Sequence, residues 1–182
     1  MFILYAVLVG FLVGLATGGR PVGLATLQFR FAWLVIVGFT AQIVLFSAPV
    51  SDRVGSLGPV LYVASTALVF IALLANIRIT GLPLVALGAA CNLLAIMANG
   101  GFMPMSAATR AAFGKGPIEG YSNSAVVVDP VLAPLTDIFA LPSWLPFANV
   151  FSIGDVLIAG GIAVAVAAAM HRRPAAGTLS ST

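Results

Sequence analysis

Charge is what this sequence has least of. Of 182 residues, 8 are Lys or Arg and 5 are Asp or Glu, 7% in all, against about 25% in an ordinary soluble domain. Hydrophobic residues make up 61%, and the mean hydropathy is +1.14. A water-facing surface takes roughly 25–35% charged side chains, so a soluble globule is excluded. An integral membrane protein embedded in a lipid bilayer is the expectation.

Reactive side chains are scarce too. The single cysteine, Cys91, rules out an internal disulfide and a dithiol relay. The single histidine, His171, rules out paired-histidine haem ligation and an H-E-x-x-H zinc site. No metal and no cofactor is therefore expected. The sequence has no phosphate loop, and the basic residues are scattered without interleaved aromatics, so nucleic acid is not an expected partner.

What the sequence does have is long uncharged runs. They predict an all-α polytopic bundle of five transmembrane helices at about 1–17, 31–48, 57–76, 82–98 and 151–170. Each approaches the ~20 residues that cross ~30 Å of hydrocarbon. The first run lacks a basic leader and is followed by Arg20, so it reads as a retained span. Arg20, Arg30, Arg78, Arg172 and Arg173 fall on one side of the alternating topology. Arg53, Arg110 and Lys115 fall on the other, offset by Asp52, Glu119, Asp129 and Asp137. The positive-inside rule then puts the N-terminus outside and the C-terminus in the cytoplasm. Residues 1–173 form one transmembrane domain with an exoplasmic cap at 99–149, and 174–182 read as a disordered cytoplasmic tail.

Small residues repeat every fourth position at Ala6, Gly10, Gly14 and Gly18, and again at Gly161, Ala165 and Ala169. Such stripes let backbones approach in lipid. They serve a homodimer or membrane-partner face, or they pack the first helix on the last; the second is the simpler expectation. Pro59 and Pro83 fit first turns, and Asn76 and Asn99 fit helix C-caps. Within the long connection, Ser106 is expected to cap a short helix at 107–113 that ends at Gly114. Turns follow at 116–117 and 120–123, and Asp129 is expected to cap a second short helix from Pro130. Pro142, Trp144 and Pro146 suit a segment at the membrane interface.

Asp155 is the one acid placed inside an apolar span, which makes it the leading candidate for chemistry. It equally suits the first turn of a helix capped by Ser152. Asn92 and Asn99 lie seven apart on one helical face and read as a polar path, a ligand site or interhelical glue, with Gln42, Ser65 and Thr66 as expected partners. Asn99-Gly100-Gly101 reads as a C-cap before an anion-binding nest.

Asn99-Gly-Gly-x-Met103-Pro104, Tyr121-Ser-Asn123, Asp137-Ile and Asn149-Val-Phe-Ser-Ile-Gly-Asp155-Val, together with Gly18-Gly-Arg20, resemble a family of small bacterial multi-pass membrane proteins, the domain of unknown function 5317. That resemblance covers most of the chain. It implies a fold and a bacterial inner-membrane location and supplies no activity. Residues 147–161 also resemble the last-span motif of the lipoprotein signal peptidases, small aspartyl enzymes of the bacterial inner membrane. Asp155 matches one of their two aspartates. Two extra residues separate Asn149 from Asp155, Gly154 replaces an alanine, and the G-N-x-x-D-R segment is absent, leaving Asp137 as the nearest substitute.

Three functions follow as expectations. The first is a non-enzymatic bundle binding a lipidic or small ligand, or a membrane partner, through Asn92, Asn99, Tyr121, Asn123, Asn149, Ser152 and Asp155. The second is a membrane-embedded aspartyl hydrolase using Asp155 with Asp137 or Asp129. The third is a small transporter lined by Asn92, Asn99, Gln42 and Asp155.

Overall fold

The computed structural model describes residues 2–106, 109, 121–142, 144–146 and 148–172. Of the helix expected at 107–113 Thr109 alone is described, its N–H donating to Ser106 Oγ at 2.9 Å as the expected cap requires; the turn at 116–117, Arg110, Lys115, Glu119, Arg173 and the tail lie outside the described residues. The chain is mostly helical, with α1 Phe2–Ala16, α2 Ala32–Leu45, α3 Ala48–Ser51, α4 Leu57–Ala75, α5 Leu82–Ala98 and α6 Ile153–Met170.

Among the described residues two helices, α4 and α6, are long and apolar enough to cross a membrane. Helices α1, α2 and α5 have 15, 14 and 17 residues, which is about 21–26 Å of length against ~30 Å of hydrocarbon. Helices α1 and α5 keep their expected bounds to within a residue, and α2 is shorter than its expected run. Gly18, with φ +86, turns the chain after α1. Phe31, left-handed at φ 56, delays the start of α2. Ser47 and Pro49 then begin a separate turn, α3, at the end of that run. Ile36, Ile43 and Val60 point outward with 65%, 73% and 63% exposure. Outward faces of this kind call for an apolar surrounding.

The helices pack as a row, α1 on α6, α6 on α5, α5 on α4 and α4 on α2. Small residues set the order. Gly10 meets the backbone of Ala163, and Gly14 meets Met170 and Ala167, so closely that a Cβ at either glycine would collide. The first stripe is thus used inside the chain. Gly161 and Ala165 turn to the other flank of α6 and meet Gly81 at the head of α5. Further along the same seam Gly88 meets Gly154.

Gln42 Nε2 donates to Thr66 Oγ1 at 3.2 Å and joins α2 to α4. The Ser65 and Thr66 hydroxyls donate back to Tyr62 O at 2.9 and 2.8 Å. These three residues therefore do not partner Asn92 and Asn99 as expected. Ser and Thr bond their own helix readily when the preceding turn offers a carbonyl.

At one end of the row the connections are short. A 3-10 turn, Pro21–Thr26, lies against the end of α6, with Gly23 tight on Ala169 and Arg172. The Asn76 carboxamide grips the Arg30 backbone in both directions, accepting from its N–H and donating to its O at 2.8 Å each. At the other end lies the cap. Strand β1, Met103–Met105, pairs parallel with β2, Ser124–Val126, and Met105 makes one further bridge to Asp137. Strand β3, Phe139–Ala140, pairs antiparallel with β4, Val150–Phe151, which runs into α6. The second short helix expected at Pro130 is instead a 3-10 turn, Ala133–Leu135. Its leading residue is Leu132, left-handed at φ 56, so Asp129 is not its cap.

Candidate functional site

The site is built where β4 becomes α6. Ser152 is fully buried and is the N-cap, its Oγ accepting from the Asp155 N–H at 3.0 Å. Asp155 Oδ2 accepts in return from the Ser152 N–H at 3.0 Å. This reciprocal capping box satisfies two amides that the first turn of a helix leaves without partners. The sequence expectation of Ser152 as cap is met.

Helix α5 closes the arrangement. Asn92 Nδ2 donates to Asp155 Oδ1 at 2.8 Å, and Asn92 Oδ1 accepts from Ser152 Oγ at 2.8 Å. A Cβ on Gly154 would occupy the Asn92 carboxamide, so the glycine is what admits the asparagine. Asp155 Oδ2 thus accepts from the Ser152 N–H and shares the single Ser152 hydroxyl hydrogen, at 3.2 Å, with Asn92 Oδ1, while Oδ1 takes one bond from Asn92. A carboxylate oxygen has two acceptor positions, so Oδ1 keeps one.

Asp137 arrives from the cap. Its N–H donates to Pro104 O at 2.9 Å, and the residue is 6% exposed. Strand pairing explains why it comes near Asp155. Phe139 is opposite Phe151, and their rings stack with centroids 5.3 Å apart. Two residues back along β3 stands Asp137; two residues on from β4 begins the first turn of α6. Burial, and after it the Asp155 carboxylate, push the Asp137 carboxyl up to about 7. Two carboxyl groups separated by 18 positions in sequence are electrostatic neighbours in the fold.

Tyr62 of α4 completes the group and was not singled out from the sequence. It is 8% exposed, and its phenol has Asp137, Tyr121, Asp155 and Asn123 as neighbours. The signal was available: a tyrosine inside an apolar run carries a polar tip that needs a partner. Tyr121 holds the cap down beside it. Its N–H donates to Ser51 O at 3.0 Å and its hydroxyl to Gly101 O at 2.7 Å. Its ring covers Gly58 and packs on Phe46 and Phe102. Burial pushes its phenol up to about 12.

The remaining expected residues divide. Asn99 does not share a polar path with Asn92. Its carboxamide grips Val131, donating to O at 2.8 Å and accepting from N–H at 2.9 Å, and so ties the cap to the end of α5. Gly101 N–H closes that end on Ile96 O at 2.8 Å, the C-cap expected there. Asn123 and Asp129 are exposed, and Asp129 stays outside the acid group. Asn149 has a buried Oδ1 that meets no donor among the described residues, while its backbone O accepts from Leu141 N–H at 3.0 Å. Among the described residues no cluster of three or more His, Cys, Asp or Glu is arranged to hold a metal ion.

The arrangement therefore defines a helical protein in which a buried carboxyl with a proton affinity near neutrality faces a hydrogen-bonded carboxylate, under a cap tied down by Asn99 and Tyr121. A family model matches residues 26–167, and the chain belongs to that family, DUF5317, a family of unknown function. No curated protein and no solved structure matches the chain.

Proposed function

We propose that the chain is a multi-pass protein of a bacterial inner membrane, with α1, α2, α4, α5 and α6 as its spans, the N-terminus outside and the cap on the exoplasmic face. Supporting this are the two helices long enough to cross, the apolar outward faces and the exposed Arg20, Arg30, Arg78 and Arg172 at the end opposite the cap. Helices of 14–17 residues span with the aid of flanking turns and local thinning of the bilayer.

Within that frame the acid pair under the cap acts on a lipidic or small substrate by hydrolysis. The observation that carries this is Asp137: a buried acid, pushed up to about 7 beside the Asp155 carboxylate. Carboxyl pairs whose environments separate their proton affinities are able to divide acid and base roles. A water between them loses a proton to the open position on Asp155 Oδ1 as its oxygen attacks a carbonyl carbon, and Asp137 gives its proton to the carbonyl oxygen. When the tetrahedral intermediate collapses, Asp137 takes that proton back, the leaving group departs, and it receives the proton held by Asp155. Asn92 and Ser152 orient Asp155 and do not react.

A second reading, ligand binding without turnover, is favoured by the Asn149 Oδ1. Buried acceptors without donors are rare, and a ligand N–H or O–H satisfies one. Mass spectrometry of membrane lipids and peptides from cells carrying the wild type, Asp137→Asn or Asp155→Asn separates the two. Hydrolysis predicts the same species accumulating in both variants. Identical spectra from all three would remove hydrolysis and leave binding.

A further inference from the structure

The end of the row opposite the cap carries charge of one sign. Arg20, Arg30, Arg78 and Arg172 are exposed there, while the described acids belong to the cap end. Two of these arginines are brought together by the main chain. Arg20 N–H donates to Met170 O at 2.7 Å, two residues before Arg172. The 3-10 turn that follows Arg20 then wraps the end of α6, and Gly23 fits against the Ala169 and Arg172 carbonyls, where a Cβ would collide with the first. Thr17 Oγ1 and His171 Nε2, 2.9 Å apart, close the same seam from the α1 side.

The helix end needs neither guanidinium. Main-chain donors already take its last carbonyls: Ala168 O by the His171 N–H at 3.2 Å, Ala169 O by the Arg172 N–H at 3.0 Å and Met170 O by Arg20. Among the described residues the Arg20 and Arg172 side chains have no hydrogen-bond, ion-pair or ring partner, whereas Arg30 lays its guanidinium over the Phe31 ring at 5.9 Å. Beside the pair, Leu15 of α1 and Val22 of the turn are 45% and 54% exposed. Unpaired guanidinium forks next to exposed aliphatic side chains match a phosphate carried on an acyl chain. We propose that Arg20 and Arg172 clamp the phosphodiester of an anionic phospholipid at the α1–α6 seam, with its acyl chain along Leu15 and Val22. Arginine takes phosphate oxygens bidentately, and basic notches between helices at a membrane surface hold anionic headgroups. The clamp rests on the reading that this end lies at a membrane surface.

Native mass spectrometry of the full chain in detergent, titrated with phosphatidylglycerol or phosphatidylcholine, tests the clamp. The unsubstituted chain is expected to take one phosphatidylglycerol on the order of tenfold more tightly than phosphatidylcholine. Arg20→Lys/Arg172→Lys keeps the charge and removes the planar fork, so most of that selectivity is lost. Arg30→Lys/Arg78→Lys, at the α2–α4 side of the same end, leaves it unchanged. Equal binding of the two lipids by the unsubstituted chain overturns the clamp without recourse to a variant. So does full selectivity in Arg20→Lys/Arg172→Lys, or an equal loss in Arg30→Lys/Arg78→Lys, because either reduces the effect to general attraction by positive charge. Displacement of the lipid by excess inorganic phosphate assigns the notch to free phosphate and overturns the lipid clamp as well. Orientation is read separately. Val128→Cys in a Cys91→Ser background, at a cap position 91% exposed, is labelled with an impermeant maleimide in spheroplasts. Labelling there without a selective lipid removes the clamp alone. A protected cysteine with selective lipid binding removes the exoplasmic placement of the cap and upholds the clamp.

Discussion

The two ends of the helix row solve the same problem with different groups. At the end of the short connections, Asn76 bonds the backbone of Arg30 and of Ala72, Arg20 N–H bonds Met170 O at 2.7 Å, and Gly23 lies flush on α6. Side chains there complete main-chain valences, and among the described residues no acid takes part. At the cap end Asn92, Ser152 and Asp155 bond one another, and Asp137 and Tyr62 are buried against them. Neutral amides bonded to backbone make a joint whose strength is independent of pH. Carboxyl groups placed together make one that depends on a proton. The difference is why chemistry is assigned to one end and not the other.

The largest test of this contrast is stability against pH. The folded chain holds the Asp137 proton to about 7, above the ordinary 3.8. The sign is that of an acid raised on folding: the contribution is fully present below about pH 4 and is lost as pH rises through about 7. The shift corresponds to on the order of 4 kcal/mol, realised as local release of the cap wherever release is easier than global unfolding. Denaturant unfolding in detergent should show the wild type weakening from pH 4 to pH 8, and Asp137→Asn nearly flat. A wild-type curve without slope over that range would erase the distinction between the ends.

The converse variant lies at the other end. Asn76→Ala removes three hydrogen bonds from a side chain that is 4% exposed and takes from the Arg30 amide and carbonyl and from Ala72 O their side-chain partner. The expected loss is roughly 2–3 kcal/mol, the same at pH 5 and pH 8. A loss that changed with pH would show that the joint communicates with the acids at the cap end.

How much of this could be read in advance follows the same division. The helices and the use of Gly10 and Gly14 were legible, because apolar runs and small-residue spacing are local patterns. So was the Ser152–Asp155 cap, since both partners lie within one turn. Asp137 beside Asp155 was only an open possibility. Their approach depends on the pairing of Phe139 with Phe151, and two-residue strands leave no periodic trace. Asn92 and Asn99 misled in the opposite way. Sharing a helical face suggested a shared path, yet the close approach at Gly154 takes one to α6, while the chain reversal after Gly101 brings Val131 to the other.

Ser152→Ala is the smallest of these effects and the most discriminating about Asp155. Loss of an N-cap hydroxyl costs about 1 kcal/mol, and Asn92 also loses the donor on its Oδ1. Asp155 nevertheless keeps its bonds from Asn92 Nδ2 and the residue-152 N–H, so its carboxylate stays in place opposite Asp137. The variant should therefore unfold at slightly lower denaturant at every pH while the midpoint of the pH-dependent part remains near 7. If that midpoint falls, Ser152 is setting the position of Asp155 relative to Asp137, and Asn92 alone is too weak a hold. An unchanged midpoint assigns the orientation of the reacting carboxylate to α5, across the glycine seam, and leaves Ser152 the simpler role of starting α6.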